Sequence, residues 1–344
     1  MNKPHKPLSL LSVVSFFVLS SLSAVQTDPV GYVTTTTPSG DDSLIGLPLT
    51  QTISFTGVTD SATGAVATVS STLVLDAYNN THYALATSGA NAGQWSEILD
   101  TAVNSIETSE VLLSASDTFD IIPFWTLATA FPGGDGIGAS SDPYNPSTTV
   151  SLNNLNAAGT NLSPASTFFY FAGTTPTAGW YQTGSLGLSD DIPLSPETYI
   201  TIRNNSASSL VTIVAGTVPT NVTGTTVEGI ASAAQDSQLV NPYPADLALA
   251  TSGLTDVIAP AADPYNPLDT VSIYDIENTS GQNISAAKTY FYFAGPTPAA
   301  GWYQTGSLAA SDAVKIPGGG AFVVRKGLGD NEVLEWNPPL PYSL

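Results

Sequence analysis

The 344-residue chain has no cysteine, two histidines, one methionine and only seven basic residues. Without cysteine there is no disulfide framework, thiol nucleophile, Cys-ligated zinc or iron–sulfur cluster. His5 lies at the extreme N-terminus, which leaves His82 as the one imidazole of the main body. A single imidazole gives a metal almost no nitrogen ligands and all but excludes zinc. A Ser–His–Asp triad would have to use His82, inside the strand-like HYALAT (82–87), and no GxSxG elbow accompanies it. We read His82 as an ordinary strand histidine.

Positive charge is equally scarce. Seven Lys and Arg face 28 Asp and Glu, for a formal charge of −21. Such a surface repels phosphate backbones and anionic lipid, so no nucleic-acid partner is expected. Long apolar runs are also absent after the N-terminus, where a spanning helix would need roughly 20 residues. The C-terminal NPPLPYSL offers no hydrophobic anchor. Many Pro residues and short irregular strands speak against a membrane barrel, whose spans alternate over about 10 residues.

What is present at the start reads as an address. Lys3 and Lys6 precede the apolar run LSLLSVVSFFVL (8–19), and small residues follow up to Ala24. This is the layout of a secretory signal peptide, 1–24, cleaved after Ala24. The processed protein is expected to be secreted, periplasmic or on the cell surface, with no membrane span. Its 42% apolar fraction and many aromatics argue for packed cores over disorder.

Short β-branched or aromatic runs dominate: VGYVTTTT (30–37), ATVSSTLVL (67–75), HYALAT (82–87), TYITI (198–202), LVTIVAG (210–216) and AFVVR (321–325). The best helical candidate, QWSEILDTAVNSI (94–106), also reads as two strands around a turn at Asp100, and we favour strands. The strongest feature is an internal repeat. Tyr170–Asp190 matches Tyr292–Asp312 without a gap at an offset of 122 residues. Upstream, SDPYNP (141–146) matches ADPYNP (262–267) at an offset of 121, so one residue is inserted between the two blocks. DSLIGLPL (42–49) echoes DSQLVNPYP (236–244) only faintly. The expected fold is all-β: tandem β-sandwich or small β-barrel modules with an internal duplication. The expected division is an N-terminal β module at 25–116, one repeat unit at 117–225 and a second at 226–344. An insertion within a larger first half is the alternative.

TDPVGYV (27–33), YALATSGANAGQWSEILDTAVNSI (83–106), DTFDIIPFWTLATAFP (117–132), ADPYNP, YFYFAG (290–295) and GWYQTG (301–306) together resemble a large paralogous family of exported verrucomicrobial proteins. The resemblance runs from about Thr27 to Trp336. It implies export and β structure, and supplies no active site, because the family is functionally uncharacterised.

Several residues could carry a function. Trp180 and Trp302 read as core anchors of the two units. Neighbours on a strand point to opposite faces, which makes Tyr181 and Tyr303 the candidates for a sugar-binding surface, with Gln182 and Gln304 beside them. Arg203 and Arg325, at matching positions in a cation-poor chain, should bind a carboxylate or carbonyls of their own unit, with Asp190 and Asp312 as natural partners. Lys288 and Lys326 read as ordinary surface charges. Calcium is the one cofactor considered, through Asp135, Asp142 and Asn145 in GGDGIGASSDPYNP (133–146), although the Asp-Pro-Tyr-Asn-Pro stretch reads first as a turn. Paired carboxylates could hydrolyse a glycoside, but most acids here stand in turn-forming settings. The leading expectation is an exported, non-enzymatic surface, envelope or extracellular-matrix protein. The alternative is a glycan-binding protein using aromatics of the repeat units, with a carboxylate-dependent glycosidase third. Polysaccharide and other envelope proteins are the expected partners.

Overall fold

The alternating VGYVTTTT run forms β1 (Val30–Thr37), and DSLI forms β2 (Asp42–Ile45). The chain then enters six consecutive strands: β3 (Phe55–Thr63), β4 (Val66–Val69), β5 (His82–Ala86), β6 (Trp95–Ala102), β7 (Ser105–Thr108) and β8 (Thr118–Pro123). These close into a barrel in the order β3-β4-β7-β6-β5-β8. Alternate residues Ala67, Val69, Ile98, Ile106, Phe119 and Ile121 fill its interior. QWSEILDTAVNSI is a hairpin, as favoured, but its turn lies at 103–104. Asp100 sits instead at a register shift in the β6–β7 ladder, where a bulge accommodates the extra residue. The computed structural model describes residues 29–154, 157–274, 280–286 and 288–343, and the signal peptide expected at 1–24 lies outside them.

Seven strands follow the barrel: β9 (Trp125–Thr126), β10 (Thr148–Leu152), β11 (Ser166–Phe171), β12 (Gly179–Gln182), β13 (Pro193–Leu194), β14 (Ile200–Asn204) and β15 (Leu210–Thr217). They do not form a sheet alone. β2 returns from before the barrel to complete an antiparallel sheet β12-β11-β10-β14-β2, and β1 pairs with β15 along all eight residues. A two-stranded ribbon β9–β13 packs on the same core through Leu194 and Trp125.

The remaining chain repeats this plan with nothing inserted. It runs β16 (Thr225–Glu228), β17 (Gln235–Val240), β18 (Leu247–Ala248), β19 (Thr270–Ile273), β20 (Lys288–Phe293), β21 (Gly301–Gln304), β22 (Lys315–Ile316), β23 (Ala321–Lys326) and β24 (Val333–Trp336). The sheet is β17-β23-β19-β20-β21, with ribbons β18–β22 and β16–β24. The faint DSLIGLPL echo is therefore a true counterpart, because β2 and β17 hold the same edge position. The boundaries expected at 25–116, 117–225 and 226–344 need correction. β1 and β2 belong to the first unit, the barrel continues to Pro123, and β16 opens the second unit at Thr225. The barrel is an insertion in the first copy. Among the described residues no helix is long and apolar enough to cross a membrane.

The two units meet through reciprocal contacts. Arg203 grips Asp42 with Nε and Nη2 at 2.8 and 2.7 Å, and Nη2 also donates to Asn283 Oδ1 of the second unit at 2.8 Å. Arg325 grips Asp236 at 2.6 and 2.8 Å and reaches Asn161 of the first unit at 3.5 Å. The Asn283 and Asn161 amides return hydrogen bonds to Asp42 and Asp236, both at 2.7 Å. Gly281 and Gly159 carbonyls accept from the Asp42 and Asp236 amides. Each unit thus lends a loop that caps the other's edge strand, the reciprocity of a two-fold contact. Gly46 and its counterpart Val240 face each other there. A Cβ on Gly46 would fall 1.9 Å from Val240 Cγ2, so one of the pair has to be glycine.

The arginines therefore have carboxylate partners, but not the expected ones. Asp42 and Asp236 lie directly across the ladder from Arg203 and Arg325, whereas Asp190 and Asp312 cap other strands. Each arginine side chain keeps about a third of its surface in water (33% and 38%), while its aspartate is buried. Arg203→Met and Arg325→Met should each cost about 1–3 kcal/mol, less than a fully buried pair because solvent screens the guanidinium. Chemical denaturation compared with Lys288→Met checks this, and equal, negligible shifts would make the arginines ordinary surface charges.

Candidate functional site

The residues singled out in the repeat are structural. Trp180 and Trp302 lie fully buried in the main cores of their units. Tyr181 and Tyr303 are buried too, at 2% and 9% exposure, which removes them as a sugar platform. Strand alternation does send Trp and Tyr to opposite faces, but both faces are covered. Tyr181 packs with Phe169 and Phe171, and Tyr303 with Phe291 and Phe293. Their hydroxyls donate inward to the Thr177 and Ala299 carbonyls at 2.7 Å. Gln182 and Gln304 remain at the strand ends beside polar turns, without an exposed aromatic next to them. Asp190 and Asp312 accept from the Trp180 and Trp302 amides at 2.8 and 3.0 Å, fixing the start of β12 and β21.

The calcium candidates stand in loop and turn segments with local roles of their own. Asp142 accepts from the Tyr144 amide at 2.9 Å, as Asp263 does from Tyr265, which is the Asx-turn reading. Asp135 lies in a separate turn, and no group of three or more His, Cys, Asp or Glu side chains suited to a metal occurs among the described residues. His82 hydrogen-bonds Thr81 and Ser54, stacks edge-on against Tyr78, and is held below its ordinary pKa by burial.

A site not evident in the sequence opens where the barrel and both units meet. This cleft of about 470 Å³ is lined by Trp95, Glu97 and Glu110 from the barrel, Glu197 from the first unit, and Thr226 and Glu228 from the second. Its carboxylates crowd one another. Glu197 Oε2 accepts from Thr225 Oγ1 at 2.7 Å and from the Trp95 indole. Glu335, across the ladder from Thr226, accepts from its hydroxyl at 3.2 Å. Burial raises the Glu197 pKa, the hydrogen bonds from Thr225 and Trp95 oppose that, and the nearby charges of Glu335 and Glu110 add to it. Burial also raises Glu335, against its Thr226 bond and with the help of Glu110. Trp95 is held edge-on by Tyr83 and Phe124, so its ring is a fixed wall. The glutamates come from three separate modules, and only the tertiary fold reveals their meeting.

A carboxyl whose pKa is higher folded than unfolded binds its proton more tightly when folded. The stability it contributes is present at low pH and is lost as pH rises through the raised value. Glu197→Gln keeps an acceptor for Thr225 and removes the buried charge. Its denaturation midpoint should therefore exceed that of the parent at neutral pH, with the gap closing as pH falls through the carboxylate range. A gap independent of pH would show that Glu197 is not under electrostatic stress.

No family model matches this chain, and the curated proteins and solved structures yield no match either.

Proposed function

We propose that the protein is an exported, non-enzymatic component of a cell surface, envelope or extracellular matrix. The observation that carries this reading is the work done by the residues the two units share. The paired Trp and Tyr fill cores on both faces of each sheet, and the paired Arg lock the units together. What the duplication retained serves cohesion, and the N-terminal leader accounts for export. Fractionation of producing cells carrying a C-terminally tagged chain tests it. The protein should occur in the envelope or medium with the leader removed. An uncleaved chain confined to the cytoplasm would overturn the reading.

A second reading is favoured by the three-module cleft. Trp95 supplies an aromatic wall and Glu97, Glu110, Glu197 and Glu228 supply acceptors, which suits a polyhydroxylated ligand such as a glycan. This moves the glycan-binding alternative from the repeat tyrosines to the junction. Screening the mature protein on a glycan array, beside Trp95→Ala, separates the two readings. Binding lost in the variant supports the glycan site, and no binding by either protein leaves the structural role.

A further inference from the structure

Lys326 stands apart from the other cations among the described residues. It ends β23, is 0% exposed, and lies across the ladder from Asp269, one step beyond the Thr270–Arg325 pair. Its Nζ is 2.7 Å from Asp269 Oδ2, 2.7 Å from Asp330 Oδ2 and 2.8 Å from the Val257 carbonyl, so all three ammonium hydrogens have acceptors. Asp269 is as enclosed as the lysine. Its Oδ1 accepts from the Gly327 amide at 2.7 Å and its Oδ2 from the Ala259 amide at 2.8 Å. In the first unit the matching ladder pair is Thr148 and Asn204, where Asn204 Nδ2 donates to backbone carbonyls and its Oδ1 accepts from the Ser206 amide and hydroxyl. Where the first unit has a neutral pair, the second thus has a buried amine, a buried carboxyl and a second carboxyl.

We propose that Lys326 and Asp269 condense into an intramolecular amide, an isopeptide bond, with Asp330 relaying the protons. Nζ at hydrogen-bond distance from Oδ2 is about 3.5 Å from Cγ, the edge of a near-attack geometry. Asp330 takes a proton from the ammonium, the freed amine adds to Cγ, and the Gly327 amide steadies the charge growing on Oδ1. Asp330 and Nζ then deliver two protons to Oδ2, which leaves as water. An ammonium and a carboxylate give one amide and one water, Asp330 ends as it began, and no oxidant or cofactor is needed. Burial lowers the Lys326 pKa, but the hydrogen bonds it donates to Asp269 and Asp330, with their charges, outweigh it and hold the pKa above the ordinary value. The ammonium is therefore the resting form, and the bond forms once and slowly, from a small neutral fraction. Enclosure and an effective molarity on the order of 10⁵ M or more drive a condensation that dilute amine and acid do not undergo. The product would staple β23 to the start of β19 in a chain that has no cysteine for a disulfide.

Intact-mass measurement of the denatured mature protein, after incubation of the folded chain at neutral pH, decides the matter. The parent should be one water lighter than its sequence mass. A digest should contain a branched peptide joining the Lys326 and Asp269 segments. Lys326→Arg and Asp330→Asn, each checked for native circular dichroism, should show the full sequence mass. Asp330→Asn keeps both reacting groups, so it guards against a Lys326 variant that fails to fold. A parent with the full sequence mass overturns the proposal, as does a water loss that persists in Lys326→Arg.

Discussion

Lys326→Met is expected to cost about 3–5 kcal/mol, the scale for stripping one partner from a buried ion pair. The change leaves Asp269 and Asp330, with side-chain exposures of 2% and 15%, facing each other without the ammonium that both contact. Two carboxylates so placed cannot both stay ionised, and one takes up a proton. The loss should therefore shrink as pH falls through the carboxylate range. Adding Asp269→Ala should recover part of it, because the second change removes one of the stranded charges. If Lys326 is amide-bonded, the substitution removes a tether as well, and the loss grows. Denaturation midpoints of Lys326→Met, Arg203→Met and Arg325→Met, measured side by side, give the test. A Lys326 effect no larger than the arginine effects would mean that the triad is hydrated in solution.

Trp302→Ala is expected to cost a similar 3–5 kcal/mol, and Trp180→Ala likewise. Trp302 is sealed in the second core, edge-on to Tyr292, and Trp180 stands in the same relation to Tyr170. Deleting either ring leaves a hole among β strands that cannot close without breaking ladders. Both indole N–H groups lack a hydrogen-bond partner, however, in matching places. A buried unpaired donor costs about 1–3 kcal/mol, so Trp302→Phe, which removes it with part of the ring, should lose much less than the alanine variant. Calorimetry of the three forms checks the ranking. Equal losses for Phe and Ala would show that the lost volume dominates and that the orphan N–H carries little penalty.

The sequence made the strands and the duplicated unit legible because both are local. β1 is VGYVTTTT from end to end, and GWYQ recurs as β12 and β21. What escaped was long-range. β2 has four residues, and its pairing with β14 spans the whole barrel, so the first unit's edge strand looked like part of another module. The burial of Tyr181 is hidden for a related reason: alternation tells which face a side chain takes but not whether that face meets water. Lys326 carries no local mark of burial either, since the two aspartates that enclose it come from the start of β19 and from the loop after β23. The cleft glutamates are the extreme case, with each one unremarkable in its own segment.

The inserted barrel also bears on how the first unit comes together. Joining β2 to β14 requires ends separated by more than 150 residues to meet, a search whose entropic penalty grows with the logarithm of the loop. The barrel shortens that search. Its first and last strands are hydrogen-bonded neighbours, with Phe55 opposite Ile121, so once it folds its entry and exit lie side by side. Kinetically it then behaves as a short turn, comparable to the six residues 241–246 that link β17 to β18 in the second unit. The first copy should therefore assemble after the barrel, and the second without waiting for it. Variants that slow barrel closure should delay one half of the molecule and spare the other.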